Sequence, residues 1–120
     1  MAGKITPKRG EIYWVNFNPT IGAEINKTRP ALVIQNDINN RHSSMTIVAA
    51  ITSKCDGRVF SFEVMLDDSD CGLVQKSMVL LNQIRAVDKQ RLIKKIGRLN
   101  ADKMFLVNRA LAISLGLVEI

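Results

Sequence analysis

The chain is 120 residues long, 47% apolar and 23% charged, with 17 Lys and Arg against 11 Asp and Glu for a formal net charge of +6. That length supports one hydrophobic core and not two, and the apolar content excludes a disordered chain. Seven Gly and three Pro are too few for a collagen or a linker, and the longest apolar run, Ile47 to Ile51, falls far short of the roughly 18 residues of a membrane-spanning helix.

The first ten residues hold no hydrophobic stretch and no cleavage site, so a cytoplasmic location is expected, with no membrane association. Glu11 to Phe17 is rich in aromatic and β-branched residues and follows Gly10, which predicts a strand with apolar side chains on both faces. Ala31–Gln35, Met45–Thr52, Phe60–Leu66 and Ser77–Leu81 are the next four predicted strands; none shows helical periodicity. Five short strands in so few residues suggest a small barrel or rolled sheet. Between the first two lies a connection from Asn18 to Thr28, with Pro19, Gly22 and several polar side chains, long enough to suggest a functional loop.

The last third changes character. Asp88 is placed to cap a helix carrying Leu92, Ile93 and Ile96 inward, with Gly97 ending it. Asn100 is placed to cap a second helix, on which Met104, Val107, Leu111 and Leu115 share one face. The two helices are expected to pack on the sheet, and most of the six aromatic residues to lie in the core.

Charge is unevenly distributed. Glu63, Asp67, Asp68 and Asp70 cluster, whereas Lys76, Arg85, Lys89, Arg91, Lys94, Lys95 and Arg98 face only Asp88 in the stretch that follows. Such a run is either a solvated face or a nucleic-acid footprint.

Several chemistries are poorly supplied. His42 is the one histidine, among Asn40, Arg41 and Ser43 in what reads as a surface turn, so a Ser-His-Asp or Cys-His site is not expected. Cys55 and Cys71 form no Cys-x-x-Cys pattern and read as ordinary thiols; one His and two separated Cys are too few for zinc. The Asp67–Asp70 stretch lacks the spacing of a calcium loop, and no glycine-rich phosphate cradle is present. An enzyme of this composition would work without metal, cofactor or histidine. Cleavage of RNA by its own 2′-hydroxyl is such a reaction, because the substrate supplies the nucleophile and the protein aligns it and stabilises charge on phosphorus, a task suited to arginine.

Four ordered blocks carry a resemblance: Arg9-Gly10-Glu11-Ile12-Tyr13-Trp14-Val15; Gly22-Ala23-Glu24 with Lys27-Thr28-Arg29-Pro30-Ala31-Leu32-Val33-Ile34; Ile47 to Thr52; and Leu81-Asn82-Gln83-Ile84-Arg85-Ala86-Val87-Asp88. From about Lys8 to Leu117 the chain resembles the MazF/PemK toxins. The resemblance implies a single domain of mostly β structure with C-terminal helices, the SH3-like small β-barrel of CcdB/MazF/PemK-like plasmid maintenance toxins, assembled as a homodimer. It further implies the toxin of a type II toxin–antitoxin system: an mRNA interferase, or sequence-specific endoribonuclease, that cuts single-stranded mRNA without metal or cofactor. Its products would carry 2′,3′-cyclic phosphate and 5′-hydroxyl ends, and an antitoxin whose tail fills the RNA groove would restrain it. That partner is expected to be acidic, since the groove is built for phosphates.

By the same resemblance Arg29 and Thr52 are the catalytic residues. Pro30 biases Arg29 towards an extended backbone, which presents its guanidinium at a strand entrance; the alternative is a surface arginine pairing with Glu24. Thr52 can donate its hydroxyl to a phosphoryl oxygen or hold the 2′-hydroxyl in line. Glu24 can serve as the base or shape the site by pairing with Arg29. Arg9 is expected to bind phosphate, Ser77 and Gln83 to bind base edges, and Asn26 and Lys27 to help select the sequence. Two readings from other classes share the barrel or the charge: a CcdB-like toxin that binds DNA gyrase without chemistry, and an RNA-binding module that does not cut.

Overall fold

A computed structural model of the protein describes residues 5–24, 27–67, 72–73 and 75–119. Its first strand, β1 (Glu11–Asn16), buries Ile12 on one face and Tyr13 and Val15, with Phe17 just beyond, on the other. It is followed by β2 (Thr28–Val33), a short helix α1 (Asp37–His42), β3 (Met45–Thr52), β4 (Glu63–Leu66), β5 (Ser77–Asp88), β6 (Leu92–Arg98) and α2 (Ala101–Ser114). The described strands form one antiparallel sheet in the order β4-β5-β3-β2-β1-β6.

The sheet rolls without closing: its hydrogen-bonded order has β4 and β6 as edges. Gly72, in the β4–β5 connection, nevertheless lies against β6, where a Cβ would sit 3.2 Å from the Ile96 carbonyl oxygen. Its φ of +79° adds to the demand for glycine at this contact. Inside the roll lies one core, from Ile12, Leu32, Ile51, Leu66 and Leu81 to Val107 and Ala110 of α2. The opposite side of β1, β2 and β3 carries a second core of Tyr13, Val15, Phe17, Ala31, Val33, Val48 and Ala50, joined by Val87 and Leu92. Strand alternation supplies both cores from the same three strands.

The expected helix after Asp88 is absent. Asp88 does cap a turn, accepting from the Gln90 amide at 2.8 Å, but the turn is a single 3-10 turn over Lys89–Arg91. The chain then continues as β6 along the free edge of β1. The edge of β1 offers a row of unpaired amides and carbonyls, which a helix could not satisfy. Leu92 is buried and Ile93 exposed, a strand's alternation. The domain therefore has one C-terminal helix in place of the two expected.

That helix is α2, capped as anticipated by Asn100, whose side chain accepts from the Lys103 amide at 2.9 Å. A helix of 14 residues is marginal alone, and it is docked by Met104, Val107, Ala110 and Leu111 against the inner core. Lys103 Nζ donates to the Met65 carbonyl and Ser114 Oγ to the Leu81 carbonyl, so both ends are tied to the sheet. Leu115 ends the helix exposed.

Other details depart from the sequence reading. β5 runs from Ser77 to Asp88, more than twice the expected length, because it keeps β3 as its partner through a bulge. On β3, Ala49 pairs with Ile84 and Ala50 with Leu80, leaving Leu81, Asn82 and Gln83 in the bulge. Only Tyr13 and Phe17 of the aromatic residues are buried; Trp14, Phe60 and Phe105 are exposed, and Phe60 stacks on half-buried Phe62 at 5.7 Å between ring centroids. Cys55 carries a free thiol; Cys71, Asp68 and Asp70 lie outside the described residues. His42 is exposed at the end of α1.

Candidate active site

The two residues singled out for chemistry come together through strand register. β2 and β3 pair as Val33↔Val48, Leu32↔Ala49 and Ala31↔Ala50. Continuing this register two residues to the end of β3 sets Arg29 opposite Thr52. Alternation points both to the side that holds Ala31 and Ala50, and Val15 is the partner of Arg29 across β1. Directly opposed residues of an antiparallel pair have Cβ atoms about 5 Å apart, within reach of one phosphate group.

Thr52 is half-buried, and its Oγ1 accepts from the Lys54 amide at 3.1 Å. That bond occupies an acceptor site and leaves the hydroxyl proton to be donated elsewhere. Arg29 is half-buried and lines a cavity of about 380 Å³ with Thr28, Pro30, Trp14, Ile51, Ser53 and Ser77 among its walls. Ser77 is buried at the start of β5, its Oγ donating to the Gln75 carbonyl at 2.9 Å, so towards the cavity it presents an acceptor. Trp14, exposed and paired across the strands with Pro30, lines the same cavity.

A smaller hollow of about 70 Å³ lies at the β5 bulge, lined by Phe17, Glu24, Gln83, Ile84 and Arg85. Bulges re-aim side chains, and this one places Gln83 beside the β1–β2 loop in the middle of a strand. Glu24 accepts the Ile21 amide at 2.6 Å. Lys27 is exposed with a φ of +65°, a left-handed conformation uncommon outside glycine. Its amide donates to Asn18 Oδ1 and its carbonyl accepts from the Phe17 amide, both at 3.0 Å, which holds the strained backbone from two sides.

Arg29 and Ser77 line one cavity and Glu24 and Gln83 another; by alternation the Arg29 side chain leaves β2 on the second-core side and that of Ser77 leaves β5 on the inner side. Thr52 ends the strand next to Arg29, and Lys27 stands at the entrance to β2. Asn26 lies outside the described residues. Arg9 is elsewhere in the protomer: its Nε donates to the Ile34 carbonyl at 2.8 Å, its Nη2 to Asn108 Oδ1 at 2.7 Å, and its amide to Asp37 Oδ1 at 2.7 Å. Ile34 follows the far end of β2, about 17 Å along the strand from Arg29 at about 3.3 Å per residue. Among the described residues no three His, Cys, Asp or Glu side chains converge on a point.

The basic run of Lys76 to Arg98 resolves into individual tasks. Arg85 donates to the Phe17 carbonyl, Lys89 to that of Asn40, Arg91 to those of Asn16 and Asn18, and Lys95 pairs with Glu11. Arg85 and Arg91 were legible only as members of that run. The two-residue spacing of Gln83, Arg85 and buried Val87 was the signal that Arg85 points to the second core's side.

A small rolled antiparallel sheet backed by one C-terminal helix, with an arginine and a threonine at the adjoining ends of neighbouring strands, defines the class of fold to which the protein belongs. Residues 8–115 match the family described as PemK-like, MazF-like toxin of type II toxin-antitoxin system. The chain is 45% identical over 112 residues to endoribonuclease EndoA of Bacillus subtilis (strain 168), covering 93% of this chain and 97% of the relative. It is 41% identical over 110 residues to endoribonuclease MazF of Staphylococcus saprophyticus, covering 92% of each. Among solved structures, an endoribonuclease in complex with its cognate antitoxin from a mycobacterial species superposes with a TM-score of 0.79 at 25% identity, over 95% of this chain and 99% of that one. The protein belongs to the PemK-like, MazF-like toxins of type II toxin–antitoxin systems.

Proposed function

We propose that the protein is a toxin endoribonuclease that cuts single-stranded mRNA through the RNA's own 2′-hydroxyl. The 2′-oxygen attacks the adjacent phosphorus, the bond from phosphorus to the 5′-oxygen breaks, and the products are a 2′,3′-cyclic phosphate and a 5′-hydroxyl. Arg29 stabilises the extra negative charge of the five-coordinate phosphorus, since its planar fork donates two hydrogen bonds and stays charged. Thr52 donates its hydroxyl to a phosphoryl oxygen or holds the nucleophile in line. The 2′-proton passes to water or to Glu24, which lines the neighbouring hollow with Gln83, and the departing 5′-oxygen takes up a proton from water. No metal or cofactor enters the scheme.

Gln83 and Ser77 supply polar groups for base edges, Trp14 an aromatic face for stacking, and Lys27 a phosphate contact. The observation that carries the reading is that Arg29 and Thr52 end neighbouring paired strands, each two residues beyond the Ala31↔Ala50 pair. The named activity of the relatives at 45% and 41% identity supports it. The protein acts in the cytoplasm, where its substrate is. An acidic antitoxin restrains it by filling the same cationic mouth, and the exposed Phe105, Leu106, Leu117 and Val118 offer apolar surface for a homodimer.

The deciding experiment is end-mapping of transcripts incubated with the protein in excess EDTA. Cleavage at one short motif with cyclic phosphate ends, lost in a folded Arg29→Ala variant, is the expected result. Intact RNA across a varied pool would overturn it, and retained binding without cleavage would make the protein a passive RNA binder.

A further inference from the structure

The loop between β1 and β2 is closed at its base by groups that come from β5 and the turn after it. Arg85 Nη1 reaches the Phe17 carbonyl at 2.7 Å, across 68 positions of sequence. Arg91 Nη1 reaches the Asn16 carbonyl at 3.0 Å and also the Asn18 carbonyl. Within the loop, the Phe17 amide donates to the Lys27 carbonyl and the Lys27 amide to Asn18 Oδ1. Asn16 pairs with Thr28, and Val15 with Arg29. Every one of these bonds lies within three residues of Arg29 or of its cross-strand partner.

We infer that Arg85 and Arg91 are positioning residues: a two-arginine clamp on the backbone of residues 16–18 that fixes the strand stub from which Arg29 is presented. The inference rests on the endoribonuclease reading for its effect on rate. Each guanidinium spends its Nη1 on neutral carbonyls of the chain, which ties the side chain to the loop base. Arginine suits the task because its planar, preorganised guanidinium holds its donors in fixed directions, so Arg91 Nη1 serves two carbonyls and Arg85 Nη1 one, where lysine offers a single mobile ammonium. Without the clamp the Phe17–Lys27 and Lys27–Asn18 bonds are left to hold a left-handed Lys27 alone, and the entrance of β2 loosens. Displacement of a reacting group by about 1 Å can cost on the order of 100-fold in rate.

The test uses full-length Arg85→Gln, Arg85→Lys and Arg91→Gln, with two readouts: steady-state cleavage of a mapped RNA across a salt series, and amide hydrogen exchange in the β1–β2 loop. The clamp predicts kcat lowered by about 10- to 100-fold, with KM and its salt dependence unchanged. It also predicts faster exchange of the Phe17 and Lys27 amides, and partial recovery of both readouts in Arg85→Lys. A raised KM whose salt slope falls by about 0.7 per substitution, with loop exchange unchanged, would make the arginines phosphate ligands and overturn the clamp. Wild-type behaviour in both readouts would overturn it too. If Arg85→Gln does not fold, Arg91→Gln decides, since its bonds lie at the surface. Were the unaltered protein to cut no RNA, the nuclease reading would fall, and loop exchange alone would still decide for or against the clamp.

Discussion

Arg29 on β2 and Thr52 on β3 each lie two residues beyond the Ala31↔Ala50 pair, at the adjoining ends of neighbouring strands. The two are separated by 23 positions of sequence, and the sheet brings them together. If both act on one phosphate, their removal must differ in kind. Arg29→Ala deletes a charged fork and is expected to lower cleavage by about 100- to 1000-fold, and Arg29→Lys to recover only a part, because a point charge cannot replace two parallel donors. Thr52→Val keeps shape and loses one donor, with an expected loss of about 10- to 100-fold that Thr52→Ser reverses. Initial rates on a mapped RNA, with circular dichroism to establish folding, check both.

Lys27 separates backbone from charge. Its φ of +65° is a glycine's conformation occupied by a residue with a long cationic side chain. Lys27→Gly relieves the strain in the native state and loosens the unfolded chain, so its stability is expected to stay within about 1 kcal/mol of the original. RNA affinity is expected to fall, and the slope of log affinity against log salt to shrink by about 0.7, the signature of one lost phosphate contact to a single strand. Filter binding of an uncleavable RNA at several salt concentrations, beside a denaturant titration, measures the two effects. An unchanged salt slope would remove Lys27 from the interface.

How far the sequence led depended on whether one signal or two applied at each place. In β1, Ile12 against Tyr13, Val15 and Phe17 gives alternation and β propensity together, and the strand forms where predicted. In Leu92–Arg98 the spacing of Leu92, Ile93 and Ile96 fits a helix turn as well as a strand, and the cap at Asp88 is real but serves only a 3-10 turn. What decides is the unpaired edge of β1, a tertiary fact that no local window contains. The same holds for charge. Arg9 falls in the first family-like block, yet its guanidinium ties Ile34 to α2. Arg29 and Thr52 stand out in the sequence because each sits in a local motif, the Arg-Pro pair and the end of an apolar strand. The clamp by Arg85 and Arg91 does not, since it joins segments some 70 positions apart.

The short helix α1 is held by a buried amide. Asn40 is 1% exposed, and its Oδ1 accepts from Gln35 Nε2 at 2.9 Å and Thr46 Oγ1 at 2.7 Å. Its Nδ2 donates to the Gln35 carbonyl at 2.9 Å and to Asp37 Oδ1 at 3.2 Å. All the hydrogen-bonding capacity of the side chain is used, so its loss strands several buried partners at once. Asn40→Ala is expected to cost about 2–4 kcal/mol. Thr46→Val, which removes one donor and keeps the volume, should cost about 1 kcal/mol. Urea midpoints at constant slope report both.

Glu11 sets the response of the fold to pH. Burial alone would raise its carboxyl, but Lys95 Nζ at 2.7 Å, the Lys8 amide at 2.7 Å and the Tyr13 hydroxyl at 3.1 Å together outweigh burial and hold it below the ordinary carboxylate range. The native state therefore binds this proton less tightly than the unfolded chain does, and between the two values the unfolded chain carries more protons. The stability contributed by Glu11 is complete above the unfolded value near 4.5 and is lost as pH falls through the lower native value. Tyr13 works in the opposite sense: burial, then the Glu11 charge and hydrogen bond, push its hydroxyl up to about 12, so its share is complete below pH 10 and lost as pH rises towards 12. Glu11→Gln is expected to cost about 1–3 kcal/mol at neutral pH, because the Lys95 ammonium loses its counter-charge while the amide oxygen still accepts. The gap between the two proteins should close in acid, below the native value of Glu11. Denaturant midpoints for both, from pH 3 to pH 8, measure it; a gap constant over that range would mean that the Glu11 charge contributes nothing to the fold.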